Sequence, residues 1–150
     1  MSEEVSRITD EHRAFIGRKG EPRSIVIGEA DARRMREVLG DDDPRYADGT
    51  GIAPPYVIAL VDPARTGIGP SILAGRPLTG HEWSFVRPFR IGEPLTAVAQ
   101  VTDIRDRLGG RYGYSVLVTT RVDFFDSDGN LVAASTAIGT QFDPKGRRED

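Results

Sequence analysis

The chain has 150 residues, 38% of them hydrophobic, with 20 basic against 23 acidic side chains and no cysteine. That length suits one domain burying roughly two-thirds of its unfolded surface, and a net charge of −3 supplies no basic footprint for nucleic acid. Without cysteine there is no disulfide, thiolate nucleophile or Cys-ligated metal, and 17 glycines with 10 prolines favour strands and turns over a helical bundle.

Met1 to Glu11 is acidic and polar and carries no apolar signal segment. No run approaches the ~20 apolar residues of a membrane span, so the expectation is a soluble, cytoplasmic protein with no membrane partner. Residues 1–15 are expected as a polar arm, loose or briefly helical, residues 16–143 as one folded domain and residues 144–150 as a charged, solvated tail.

Arg23 to Ile27 reads as a short strand. Glu29 to Leu39 reads as a helix, with Ala32, Met35 and Leu39 at helical spacing, the arginines Arg33, Arg34 and Arg36 opposite, and Gly40 as its stop. Asp41 to Gly51 is an acidic, Gly-bearing loop. Pro54-Pro55 then open an apolar run, Tyr56 to Val61, expected as a short helix buried on all sides.

After a Gly- and Pro-rich loop from Asp62 to Pro77 come four strand signals: Glu82 to Phe89, Leu95 to Arg105, Arg111 to Phe125 and Leu131 to Phe142. The third places Tyr112, Tyr114, Val116, Val118, Val122 and Phe124 on one face. Leu108 to Arg111 and Asp126 to Asn130 are the hairpin loops, both with glycine for positive dihedrals. A sheet face needs a cover and an all-apolar helix needs burial, so the economical answer is α+β: an antiparallel sheet curved around one helix, the layout of a hotdog fold.

Five segments, in this order, give the chain a family likeness from about Ile16 to Phe142. They are Ile16-Gly17, the loop from Leu39 to Tyr46, Ile52-Ala53-Pro54-Pro55, the stretch Trp83…Arg87-Pro88…Gly92-Glu93…Leu95, and the hairpin from Asp128 to Ala133. Together they resemble the MaoC-like hydratase/dehydratase superfamily, in its fatty-acid-synthase-type dehydratase branch. The resemblance implies reversible hydration of a trans-2-enoyl thioester carried by CoA or acyl carrier protein, with no cofactor and no metal. It implies an Asp and a His from a D-x-N-P-x-H loop sharing one water, as general acid–base work requires. Backbone amides at the start of the central helix would polarise the thioester carbonyl.

Aligned on Pro44, this loop reads Asp41-Asp42-Asp43-Pro44-Arg45-Tyr46. Asp41 matches the family's Asp, Asp43 replaces its Asn, and Tyr46 stands where the His should be. A phenol with a pKa near 10 is a poor base at neutral pH. Many family members work as pairs of hotdogs, as two halves of one chain or as two subunits, in which one carries the dyad and the other, with a degenerate loop, shapes the acyl channel. This chain resembles the second kind, which implies a partner hotdog, as a homodimer or a heterodimer.

The candidate catalytic residues are therefore Asp41, Tyr46 and, at a strand start, His81. The candidate substrate-binding residues are Gly51, Ile52, Ala53 and Tyr56 for their amides, and Arg87 for CoA phosphates. Three other readings stay open: a self-sufficient homodimeric hydratase using Asp41 with Tyr46, or His81; a hotdog thioesterase with Asp62 or Glu82 as its carboxylate; and a non-enzymatic acyl-thioester binding module.

Overall fold

The computed structural model describes residues 5–61 and 68–144. Three short or medium helices, α1 (Asp10–Arg13), α2 (Glu29–Leu39) and α3 (Ile58–Val61), accompany seven strands. The strands are β1 (Arg23–Val26), β2 (Ile52–Ala53), β3 (Leu78–Phe85), β4 (Phe89–Arg90), β5 (Pro94–Arg107), β6 (Ser115–Phe125) and β7 (Leu131–Phe142). Five form one antiparallel sheet in the order β1-β5-β6-β7-β3, and β2 pairs with β4 beside it.

The strongest sequence signals give the longest strands. In β5, Leu95, Ala97, Ala99 and Val101 alternate onto the buried face. A bulge between Val101 and Asp103 then shifts the parity, so that the next buried residue is Ile104. One extra residue in a strand does this because side chains alternate with a period of two. The hairpins turn at their glycines, with positive φ at Gly109, Gly110 and Gly129, but β6, the third strand signal, starts at Ser115 rather than Arg111, so Tyr112 and Tyr114 lie in a longer first loop.

Several expectations need correction. The first strand signal begins four residues earlier and stops at Phe85; Pro88 lacks the ladder donor, and Phe89 belongs to the separate strand β4. β3 pairs with β7 rather than with β5, so the last four long strands are not a simple meander. Ile52-Ala53 do not open a helix: they form β2, and the helical segment starts at a 3-10 turn, Pro55–Val57, followed by α3.

That helical segment is also not buried on all sides. Val57 and Ile58 are inaccessible, whereas Leu60 is 55% exposed, so the segment packs by one face only. In α2, Ala32 and Met35 pack inward as expected, but Val38 and Leu39 are exposed, because none of the described elements overlies the last turn. Gly40 does stop this helix, in the left-handed conformation.

Two apolar clusters lie on the sheet. One is built around Phe89, Phe124, Leu95 and Val57, with Ile25, Ile27 and Ala32 against it. The other, around Val101, Val116 and Ile104, is covered by Ile8, Phe15 and Leu73. Residues 7–20 are therefore fastened down rather than loose: Arg7 N donates to Tyr114 Oη (2.7 Å), Gly17 N to Val101 O and Gly20 N to Ala99 O (both 2.8 Å). Residues 70–73, before β3, are held by the Gln141 side chain. Gln141 Oε1 accepts from Ile72 N (2.7 Å) and Leu73 N (3.0 Å), and its Nε2 donates to Pro70 O (2.8 Å). The tail residues beyond 144, and Asp62 as a thioesterase candidate, lie outside the described residues. Among the described residues no helix is long and apolar enough to cross a membrane.

Candidate active site

The loop that follows α2 is built by its own side chains. Asp41 Oδ1 accepts from Asp43 N (3.0 Å), and Asp43 Oδ1 accepts from Arg45 N (3.0 Å) at the start of a 3-10 turn, Pro44–Tyr46. These are the local bonds that short acidic side chains make in turns. Arg45 also holds the Asp43 carboxylate through Nε and Nη2 (2.6–3.1 Å) and lies over the Tyr46 ring.

Asp41 has a second partner. Tyr56, in the turn before α3, donates its phenol proton to Asp41 Oδ2. The bond moves both groups away from neutrality. Asp41 is held below the usual carboxylate range, first by the Tyr56 hydrogen bond and then by the Asp43 amide. The Tyr56 phenol is pushed up to about 12, first by burial and then by the bond to Asp41. A carboxylate that resists protonation and a phenol that resists ionisation make a stable hydrogen bond and a poor proton-transfer pair.

Sequence reasoning considered Tyr56 only for its amide. The residues are fifteen apart, with no local spacing rule to join them, so only the folded chain reveals the pair. Arg36 flanks it: its side chain is 15% exposed and bonded to Asp48 at 2.5 Å. A shallow cleft of about 450 Å³ opens there, lined by Arg33, Arg36, Gly40, Asp41, Asp42 and Asp48.

The other candidates lie apart from this loop. His81, half-buried on β3, is paired with Ala137, and its ring is tilted 5.0 Å from Trp83. Trp83 in turn stacks on Phe85 (5.9 Å) and Phe124 (5.8 Å), which makes a continuous aromatic surface. Glu82 points to the opposite, exposed face. The Ile52 amide is taken by Thr50 Oγ1 (3.3 Å), and the Gly51 carbonyl accepts from Ile91 N (2.9 Å). Ala53 lies in β2 and is inaccessible, so Ile52 and Ala53 sit in a strand rather than at a helix start.

Arg87 does not present a free charge to a phosphate. It is paired with Glu93 (2.8 Å) and Asp126 (3.4 Å), so its charge is already matched by carboxylates. Among the described residues no cluster of His, Asp and Glu is placed to hold a metal ion.

Residues 14–135 match the model of the FAS1-like dehydratase domain region. The chain belongs to that family. The likeness to dehydratases of the fatty-acid-synthase type, read from the sequence, therefore holds. No curated protein sequence matches the chain.

Among solved structures, this FAS1-like dehydratase chain is similar to one in the ChsH1–ChsH2 complex from Mycobacterium tuberculosis. The TM-score is 0.71 at 20% identity, covering 86% of this chain and 91% of that one. It is similar to one in the HadBC (3R-hydroxyacyl-ACP dehydratase) complex of the same organism, with TM-score 0.64, 18% identity and coverages of 84% and 96%. It is also similar to R-hydratase PhaJ1 from Pseudomonas aeruginosa, with TM-score 0.59, 22% identity and coverages of 85% and 82%. At these identities the likeness is one of fold, and the fold is the antiparallel α+β hotdog expected from the sequence.

Proposed function

We propose that this chain is the hotdog subunit that lacks the catalytic histidine in an (R)-specific enoyl-thioester hydratase or 3-hydroxyacyl-thioester dehydratase. It shapes the acyl channel, and a partner hotdog supplies the acid and the base. The observation that carries this reading is the Asp41–Tyr56 bond beside Tyr46. The family's Asp is present but engaged by a phenol of pKa about 12, and Tyr46 offers no imidazole in its place. An acid–base catalyst needs a group near the working pH within reach of one water, and neither partner of this pair is one.

A partner is supported from two sides. β3 stands at one end of the sheet, paired only with β7 among the described strands, and exposes Leu78 and Phe85. Such an edge invites another strand. Two of the similar structures are, by their own names, complexes of two components. The substrate of this reading is an acyl thioester of CoA or acyl carrier protein, and the complex is cytoplasmic.

The test is to assay the purified chain with crotonyl-CoA, first alone and then with a hotdog encoded beside it that carries an intact D-x-N-P-x-H loop. Turnover only in the mixture supports the reading. Robust turnover by the chain alone would sink it in favour of Asp41 with Tyr46, or His81. Release of free CoA without hydration would make the chain a thioesterase. Retention of acyl-CoA with no activity in any combination would make it a binding module.

A further inference from the structure

Arg87 is the hub of an ion-pair network that joins three stretches of chain. Its Nη1 and Nη2 donate to the two oxygens of Glu93 at 2.9 and 2.8 Å, and Nη2 also reaches Asp126 Oδ2 at 3.4 Å. The three side chains are 31%, 17% and 15% exposed, which sets them apart from a solvated surface pair. Bidentate, partly buried guanidinium–carboxylate bonds hold geometry in a way that exposed pairs do not. The pairing with Arg87 is the main reason the Glu93 carboxyl lies below its usual range.

Each carboxylate is tied to a different part of the fold. The other oxygen of Asp126 accepts from Asp128 N (3.0 Å) and Asn130 N (2.9 Å), closing the β6–β7 hairpin. Glu93 follows β4, where Gly92 N donates to Ile27 O and Ile91 N to Gly51 O, both at 2.9 Å. β4 is paired with β2, Ile52 with Arg90 and Ala53 with Phe89. From β2 the chain runs through Pro54 straight into the turn that carries Tyr56.

We propose that Arg87 is a positioning residue: by clamping Glu93 and Asp126 it fixes β4 against β2, and so sets the Pro55–Val57 turn where Tyr56 meets Asp41. The inference deepens the proposed function, because it names what holds the modified dehydratase loop in place. Its test reads a phenol rather than turnover, so either can fail without the other.

The experiment is a pH titration of the full chain labelled with carbon-13 at the tyrosine ring carbon that bears the hydroxyl. The chain has four tyrosines, and Tyr56→Phe assigns the resonance. Tyr114 serves as the internal control. Its phenol is also raised, by burial and then by Asp106, and it lies at the opposite end of β6 from Asp126. In Arg87→Gln and in Glu93→Gln, with the far-ultraviolet spectrum unchanged, the Tyr56 titration is expected to fall by about one pH unit while Tyr114 stays put. The milder Glu93→Gln carries the test if Arg87→Gln does not fold. An unmoved Tyr56 overturns the proposal, and so does a parallel fall of Tyr56 and Tyr114, which is general loosening rather than positioning.

Discussion

Tyr56 donates a hydrogen bond to Asp41 across fifteen residues of chain, and this bond occupies the carboxylate that the family loop would offer to water. Its pH signature has two sides. A carboxyl held below its usual 3.8 contributes stability that is present above that value and lost as pH falls through the lowered one. A phenol raised from 10 to about 12 contributes stability that is present below pH 10 and lost as pH rises across that interval. Tyr56→Phe is expected to bring the Asp41 titration back toward 3.8 and to flatten both slopes, with a lower unfolding midpoint at neutral pH. Carboxyl-carbon NMR and denaturation at several pH values measure this.

If engagement of Asp41 and loss of the imidazole are what silence this loop, restoring both should wake it. Tyr46→His with Tyr56→Phe is expected to raise hydration of crotonyl-CoA over the unmodified chain by on the order of 10², the low end of general acid–base contributions. Tyr56→Phe alone is expected to leave the rate at background. A spectrophotometric assay of the two variants, with circular dichroism as a fold check, decides it.

Gln141 is 5% exposed and satisfies two amides and a carbonyl of residues 70–73. Gln141→Leu keeps the bulk and removes every one of those bonds. Leaving several backbone groups unpaired at a buried place is expected to cost about 2–4 kcal/mol, read from urea unfolding.

Gly75 faces the Phe142 ring so closely that an added Cβ would lie 2.6 Å from a ring carbon. Phe142 is itself stacked on Tyr112 at 4.4 Å, so the ring has little freedom to yield. Gly75→Ala is expected to lower stability by about 1–3 kcal/mol, the usual cost of overpacking. A second substitution, Phe142→Leu, is expected to recover part of it, as thermal unfolding of the pair shows.

The sequence made the scaffold legible where one physical signal dominates. Alternation in β5 and the helical spacing capped by Gly40 each rest on neighbours a few residues apart, and the observed elements follow them closely, whereas β6 begins four residues later than its signal. The glycine-bearing hairpin loops were readable for the same reason. Where long-range pairing decides, local patterning was silent or misleading. Ile52-Ala53 became a strand because Phe89-Arg90 was there to pair with it. Leu39 and Leu60 stayed exposed although their spacing is that of a core.

The candidate site divides the same way. Asp41 and Tyr46 are candidates because the family's loop pattern, aligned on Pro44, falls within one short stretch of chain. The role of Tyr56 depends on a turn that reaches back to that loop. Arg87, read as a candidate for CoA phosphates, is instead paired with Glu93, six residues on, and with Asp126, from another hairpin. No periodicity marks such a network.

The central claim is that the acid–base chemistry belongs to the partner, and Asp41→Asn tests it most directly. Made in this chain and mixed with a hotdog that carries an intact D-x-N-P-x-H loop, it removes the carboxylate while keeping its size. The account predicts crotonyl-CoA turnover within about threefold of the unsubstituted mixture, well below the 10²-fold or greater loss expected on removing a catalytic acid or base. A loss of that larger size, with the complex still assembled, would place catalysis in this chain and contradict the account.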